Sequence, residues 1–281
     1  VPETPRWLFQ VGRRDEAVSV VERTTQSREE ADFEIREIEE ALAAQHGQRK
    51  APFFVRQNRK VILLAFAIAA FNQLSGINAI LYYAPDIFRS AGAGDNAAAL
   101  ESVIIGLVNL IVTMAALTVI DKIGRRKLML IGSIGYLVSL GVLAAVFFAY
   151  EGQFSGFSSV LVLGGLVVFI AAHAFGQGSV IWVFISEIFP NRIRGRGQSL
   201  GSLTHWVFAA VVSAIFPAIA SALGGGAAFS LFFLCMVGQL VWVLKVMPET
   251  RGVPLEEMER NLGIELSEED ISGAQSGPRG H

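Results

Sequence analysis

The chain has 281 residues, 52% of them hydrophobic and only 17% charged, with a formal net charge of −2. Its mean hydropathy is +0.49, whereas a soluble domain of this length carries about 25% charged residues, so an all-aqueous fold is excluded. The single cysteine, Cys235, lies in an apolar run and excludes an internal disulfide framework; the basic residues sit in loops between apolar runs and form no nucleic-acid footprint.

In chain order, charge is concentrated in residues 1–60 and 248–281, which places the two ends in water and the middle in a bilayer. The first residue is not Met and no signal-peptide pattern precedes the first apolar run, so the chain reads as a piece of something longer. Residues 15–44 set Ala17, Val20, Val21, Phe33, Ile35, Ile38 and Leu42 among many acids, the pattern of a solvated amphipathic helix pair. Six stretches then reach the roughly 20 residues that a membrane crossing needs: 61–88, 102–120, 128–150, 158–189, 199–223 and 227–247. The first is interrupted by Gln73, Ser75, Gly76, Asn78 and Pro85, and the fourth, too long for one straight crossing, bends at Gly176-Gln177-Gly178. Lipid tolerates such breaks only where protein or a watery cavity satisfies the backbone.

Lysine and arginine orient the spans. Arg49, Lys50, Arg56, Arg59 and Lys60 precede the first; Lys122, Arg125, Arg126 and Lys127 follow the second; Arg192, Arg194 and Arg196 follow the fourth; Lys245 and Arg251 flank the sixth. The opposite loops carry only Arg89, so both ends of the chain are expected in the cytoplasm of a multi-pass cell-membrane protein. The expected organisation is a helical linker over 1–59, a bundle over 60–248, and a cytoplasmic tail over 249–281 whose end, from about 267, has a disordered composition.

Five motifs occur in order. Pro2-Glu3-Thr4-Pro5-Arg6-Trp7-Leu8 is similar to the PESPRWL signature of sugar porters, and Gln73-Leu74-Ser75-Gly76-Ile77-Asn78 with Tyr82-Tyr83 resembles their QQLSGINxxxYY segment. Asp121 to Arg126 matches DxxGRR, Glu187 and Arg194 fit ExxPxxxR, and Pro248-Glu249-Thr250-Arg251-Gly252 resembles PETKG. The chain thus resembles the sugar porter family of the major facilitator superfamily. The resemblance implies an all-α membrane protein: six transmembrane helices forming the second bundle of such a transporter, preceded by short cytoplasmic helices. It implies two six-helix bundles with substrate between them near the midplane, the first bundle being a partner absent from this chain.

The same resemblance gives the candidate residues. Gln73, Asn78 and Asn109 are uncharged amides inside apolar spans, and so is Asn72, which stands where the family has a second glutamine. They read either as sugar contacts or as interhelical glue. On an ideal helix Gln73 and Asn78 point about 140° apart, so convergence needs a distorted first span, which Gly76 permits. Trp182 matches the family tryptophan beside the sugar; Trp206 is a second aromatic candidate, with interfacial anchoring as the alternative for both. His173 and His205 fall near the substrate, as sugar contacts or as helix-packing histidines. Tyr82 and Tyr83 match the extracellular gate, or an aromatic belt. Glu3, Arg6, Asp121, Arg125, Arg126, Glu187, Arg194 and Glu249 resemble a cytoplasmic salt-bridge latch; the positive-inside rule accounts for the arginines but not for the acids.

The function implied is monosaccharide transport, of a hexose or related polyol, by alternating access, as a uniporter or a symporter with a co-transported proton. A membrane sugar sensor without transport is the alternative. There is no HExxH, no P-loop and no residue cluster with metal spacing, so no enzyme activity, cofactor or metal is expected.

Overall fold

The computed structural model describes residues 3–25, 27–46, 52–92, 94–150 and 153–264. The tail from 267, expected to be disordered, and the side chain of Arg6 lie outside the described residues. The chain divides into two compact units, Val1–Pro52 and Phe53–His281.

The first unit is a small helical cluster: α1 (Pro5–Gln10), α2 (Arg14–Thr24) and α3 (Arg28–His46). Thr4 caps α1 and a proline opens its first turn, where the missing N–H has no intrahelical role. Leu8, Ala17, Val21 and Ala31 form its buried centre. The polar surface is braced by Arg13, paired with Glu3 and Glu16, and by Arg14, paired with Glu39.

The second unit is a bundle. The expected first span is not one helix but three: α4 (Arg59–Leu74), α5 (Ile77–Tyr82) and α6 (Ala84–Ser90). Pro85 sits in the first turn of α6, so it starts a helix and breaks none. Then come α7 (Asp95–Ile123), α8 (Arg125–Tyr150) and α9 (Gly156–His173), which passes through a π-turn, Ala174–Gly178, into α10 (Ser179–Ile188). The 52-residue α11 (Arg194–Lys245) and the short α12 (Leu255–Leu262) complete the unit.

Five of these stretches among the described residues are long and apolar enough to cross a membrane, yet they make six crossings. A straight 52-residue helix would run about 78 Å, against a hydrocarbon core of about 30 Å. Gly224 breaks α11 with φ 82° and ψ 163°. Phe216 and Phe232, each eight residues from that glycine, stack with ring centroids 6.0 Å apart; in a straight helix they would be about 24 Å apart. The helix therefore turns back on itself, and its legs, 194–223 and 225–245, are the fifth and sixth crossings.

The core runs along α8, whose Leu128, Met129, Tyr136, Leu140 and Leu143 are fully buried, between α9 and α11. Close approach depends on glycine at the π-turn: a Cβ on Gly176 would lie 2.9 Å from Gly132 Cα and 3.1 Å from the Leu128 carbonyl oxygen. By contrast α7 buries only 17% of its apolar stretch, leaving Leu100, Val103, Leu107, Leu110, Met114 and Leu117 exposed at spacings of three and four. Such a face is stable only in apolar surroundings. The segment after the last crossing packs back on the unit, with Met258, Leu262 and Ile264 buried and Arg192 donating to the Ile264 carbonyl at 3.0 Å.

Candidate functional site

The break in the first crossing assembles a cluster of amides. Helix α4 ends at Leu74, the Ser75 hydroxyl donates back to the Asn72 carbonyl at 2.7 Å, and Gly76 takes a left-handed conformation with φ 83°. Only glycine enters that region without a Cβ penalty, and only glycine fits, because a Cβ there would come within 2.5 Å of the Phe232 ring. The turn swings Asn78 round so that its Nδ2 donates to Gln73 Oε1 at 3.1 Å. Gln73 Nε2 donates to Asn72 Oδ1 at 2.9 Å and lies 3.2 Å from both ring nitrogens of His205. Three residues of the first crossing and one of the fifth are thus joined through one glutamine. Asn72 and Gln73 have almost no exposed surface, whereas Asn78 is half-buried.

Aromatic rings flank this cluster. Trp182 and Trp206 each lie 5.2 Å from the His205 ring, on different elements, and both keep exposed indole surface, 42% and 62%. The structure thereby brings together Gln73, Asn72, Asn78, His205, Trp182 and Trp206. The other candidates are apart from it. His173 is buried and its Nδ1 lies 2.5 Å from the Tyr136 hydroxyl, between α9 and α8. Asn109 is half-buried on α7 and makes no side-chain hydrogen bond to the described residues of the cluster. Tyr83 leans on Phe216 at 5.6 Å while Tyr82 is 62% exposed, so neighbouring tyrosines face different surroundings.

The charged motifs converge at one end of the bundle. Arg125, with a side chain only 8% exposed, is gripped by both oxygens of Glu187, at 2.6 and 3.0 Å, and by Asp121 at 2.9 Å. The Thr250 hydroxyl also donates to Glu187, at 2.6 Å. Glu249 makes no ion pair among the described residues; it accepts from the backbone N–H groups of Arg125 and Arg126 at 2.9 and 3.1 Å. It therefore caps α8, whose free N–H groups and dipole favour an anion. Gly124, with φ 97°, makes room: a Cβ there would be 2.6 Å from Glu249 Oε2. Arg126 reaches the Val243 and Leu244 carbonyls, and Arg194 the Phe189 carbonyl. Glu3 pairs with Arg13 inside the first unit.

A family model described as Sugar (and other) transporter matches residues 1–262. The chain belongs to the sugar transporter family. It is 34% identical over 260 residues to the arabinose-proton symporter of Bacillus subtilis (strain 168), covering 92% of this chain and 55% of the relative. It is 35% identical to the glucose transporter GlcP of Staphylococcus epidermidis, covering 93% and 58%. Among solved structures, the inward open conformation of the xylose transporter XylE from E. coli matches with a TM-score of 0.73 at 30% identity, over 93% of this chain and 52% of that one. A second, the major facilitator superfamily proton:xylose symporter XylE bound to 6-bromo-6-deoxy-D-glucose, gives 0.67 at 32% identity, over 93% and 55%. The chain spans about half the length of the curated relatives it matches.

Two polar partnerships of this sugar transporter chain escaped sequence reasoning. Gln177, in the π-turn, donates to Gln239 Oε1, and Gln239 Nε2 donates to Ser133 Oγ at 3.0 Å. All three are fully buried and join the fourth, sixth and third crossings. Tyr136 is the other omission, being the partner of His173. Their signal was an amide or hydroxyl inside an apolar run, the same signal that singled out Gln73. The string Gly197-Gln198-Ser199-Leu200-Gly201 has the G-x-S-x-G spelling of a hydrolase elbow, but it lies inside α11, away from the strand-to-helix turn that such chemistry needs. Ser199 donates to the Gly195 carbonyl one turn back.

Proposed function

We propose that this chain is the C-terminal half of a transporter that moves a monosaccharide across the cell membrane by alternating access, as a uniporter or proton symporter, with a six-helix N-terminal half as its partner. In this reading Gln73, Asn72, Asn78 and His205 hydrogen-bond the sugar hydroxyls, Trp182 and Trp206 lie against its ring, and Asn109 and His173 join only as helices shift. Tyr82 and Tyr83 gate the outer side. Arg125, Glu187, Asp121, Arg126, Arg194 and Glu249, with Glu3 and Arg6, belong to a latch on the cytoplasmic side, where both ends of the chain lie.

What carries the reading is the joining of four uncharged polar side chains through Gln73, beside two exposed indoles, inside apolar helices. A neutral sugar offers hydroxyls that donate and accept, and amides do both. At about 1 kcal/mol net per hydrogen bond, a handful of bonds with one stacking contact gives roughly millimolar affinity. That strength suits a cargo that has to be released on the far side.

The test is uptake of labelled xylose, arabinose and glucose by the full-length protein in vesicles. Uptake of at least one sugar is expected, with a loss of about tenfold or more in Gln73→Ala, one to two hydrogen bonds' worth. Dependence on an imposed proton gradient separates symport from uniport. Binding without uptake supports a sensor, and a wild-type protein that neither binds nor moves any sugar refutes the proposal.

A further inference from the structure

Tyr136 is the largest fully buried side chain among the described residues, and its hydroxyl carries the one polar atom of that side chain. A phenylalanine would fill the same space without burying a polar group, which costs free energy unless it is hydrogen-bonded. The hydroxyl has partners on two other crossings. His173 Nδ1, at the end of α9, lies 2.5 Å away, and the Ser75 hydroxyl, at the break of the first crossing, lies beside it. Phe169 holds the ring, with centroids 5.1 Å apart. The whole group is internal: Ser75 and Tyr136 have no exposed surface and His173 keeps 9%.

Ser75 is the residue that bridges the break. The Gly76 N–H bonds to the Gln73 carbonyl at 2.9 Å, which leaves the Asn72 carbonyl without its helical partner. Ser75 Oγ donates to that carbonyl at 2.7 Å and accepts from the Ile77 N–H at 3.3 Å, at the start of α5. One hydroxyl thus spans Gly76, with Asn72 and Gln73 before it and Asn78 after. A hydroxyl offers one hydrogen and two lone pairs. The hydrogen goes to Asn72 and one lone pair to Ile77, so one lone pair is left, and the Tyr136 O–H is the donor beside it. The phenolic oxygen then accepts from His173 Nδ1–H. The hydrogens run in one direction, from imidazole to phenol to serine to the Asn72 carbonyl.

The phenol also stands on a fixed base. Tyr136 lies one turn along α8 from Gly132 and Ser133. The π-turn packs there, with Gly176 against Gly132 and Gln177 joined to Ser133 through Gln239. We propose that Tyr136 is a positioning residue for sugar binding: its hydroxyl, steadied by His173, holds Ser75 and through it the turn that sets Gln73 against Asn78. The inference rests on the amide cluster being the sugar site. It gives His173 a part in binding that needs no contact with the sugar.

The experiment measures the affinity of the full-length protein for xylose, arabinose and glucose, and amide hydrogen exchange at Ile77 without sugar. Tyr136→Phe keeps the ring and is expected to weaken sugar binding about fivefold, the scale of one hydrogen bond, and to speed exchange at Ile77. Ser75→Ala weakens binding at least as much. Adding Tyr136→Phe to Ser75→Ala brings no further loss, because the phenol acts through the serine. Ser139→Ala removes another buried hydroxyl of α8, one that donates to the Gly135 carbonyl of its own helix, and leaves affinity and Ile77 exchange as in the wild type. Thermal melting confirms that each variant is folded. Wild-type affinity in Tyr136→Phe, or losses that multiply in the double variant, overturns the proposal. A wild type that binds none of these sugars refutes the reading of the cluster as a sugar site, whereas unaltered Ile77 exchange in Tyr136→Phe refutes the link itself, so the two failures are distinct.

Discussion

Replacing Gly76 by alanine tests the feature that assembles the amide cluster. Two penalties are expected to act together. A residue with a Cβ held at φ 83° costs about 1–2 kcal/mol. The new methyl would also sit 2.5–2.7 Å from three carbons of the Phe232 ring, and overpacking of that kind costs about 1–3 kcal/mol. The sum, about 2–5 kcal/mol, is measurable as a shift in denaturant-induced unfolding in micelles. The two parts can be separated. Phe232→Ala alone costs about 3–5 kcal/mol as a cavity, but in the double variant the methyl occupies space the ring has left. The double variant should therefore cost less than the sum of the singles by about 1–3 kcal/mol, leaving the backbone penalty behind. Sugar-dependent protection should fall in Gly76→Ala, because a turn that moves Asn78 away from Gln73 undoes their bond. Full stability in Gly76→Ala, or strict additivity with Phe232→Ala, would refute the reasoning.

Glu187→Gln should destabilise by about 3 kcal/mol, since it strands a buried arginine whose remaining acid, Asp121, is 81% exposed; the pair replacement Arg125→Met with Glu187→Leu should recover at least half of that in the same unfolding assay. Glu249→Ala should cost about 1–2 kcal/mol as a lost cap and speed amide hydrogen exchange at Arg125 and Arg126, the two groups it accepts from; unchanged exchange there would mean the carboxylate does not cap the helix. His173→Phe removes the imidazole partner of the buried Tyr136 hydroxyl, which keeps Ser75 beside it, a loss of about 1 kcal/mol. Adding Tyr136→Phe should restore most of it, and a double variant no better than the single would rule out the pair.

The crossings were legible because lipid imposes a length and a composition that few soluble segments satisfy. Gly224-Gly225-Gly226 fell in the gap between the fifth and sixth expected spans, and the chain reverses there. The convergence of Gln73 and Asn78 was legible only as a condition, because an ideal helix holds them apart and one glycine decides whether it stays ideal. Partners distant in sequence were not legible. Nothing near Gln177 announces Gln239, 62 residues away, and no local pattern tells a carboxylate such as Glu249 that its partner is a backbone N–H and not an arginine. The charge pattern suggested ion pairs throughout the latch residues; the structure gives Arg125 two acids and leaves Arg126 and Arg194 on carbonyls. A helix terminus competes for side chains on equal terms with an opposite charge, and sequence composition does not record that competition.

The positions where the helices lose regularity are also the positions where polar side chains meet across helices. Gly76 interrupts the first crossing between Gln73 and Asn78, and the π-turn of the fourth begins directly after His173 and contains Gln177. In an apolar surrounding a broken helix frees N–H and C=O groups, and these are tolerable only where protein or water can satisfy them. The same enclosure makes buried amides and imidazoles tolerable, so breaks and polar clusters favour one another. Some polar residues on regular stretches behave differently: Ser139 turns its hydroxyl back on a carbonyl of its own helix, and Ser158 on that of the N-cap residue Ser155. The difference separates a serine that merely satisfies itself from a side chain whose bonding atoms face another helix. Only the second kind can exchange its partner for a ligand, and Gln73 holds Asn72, Asn78 and His205 at once.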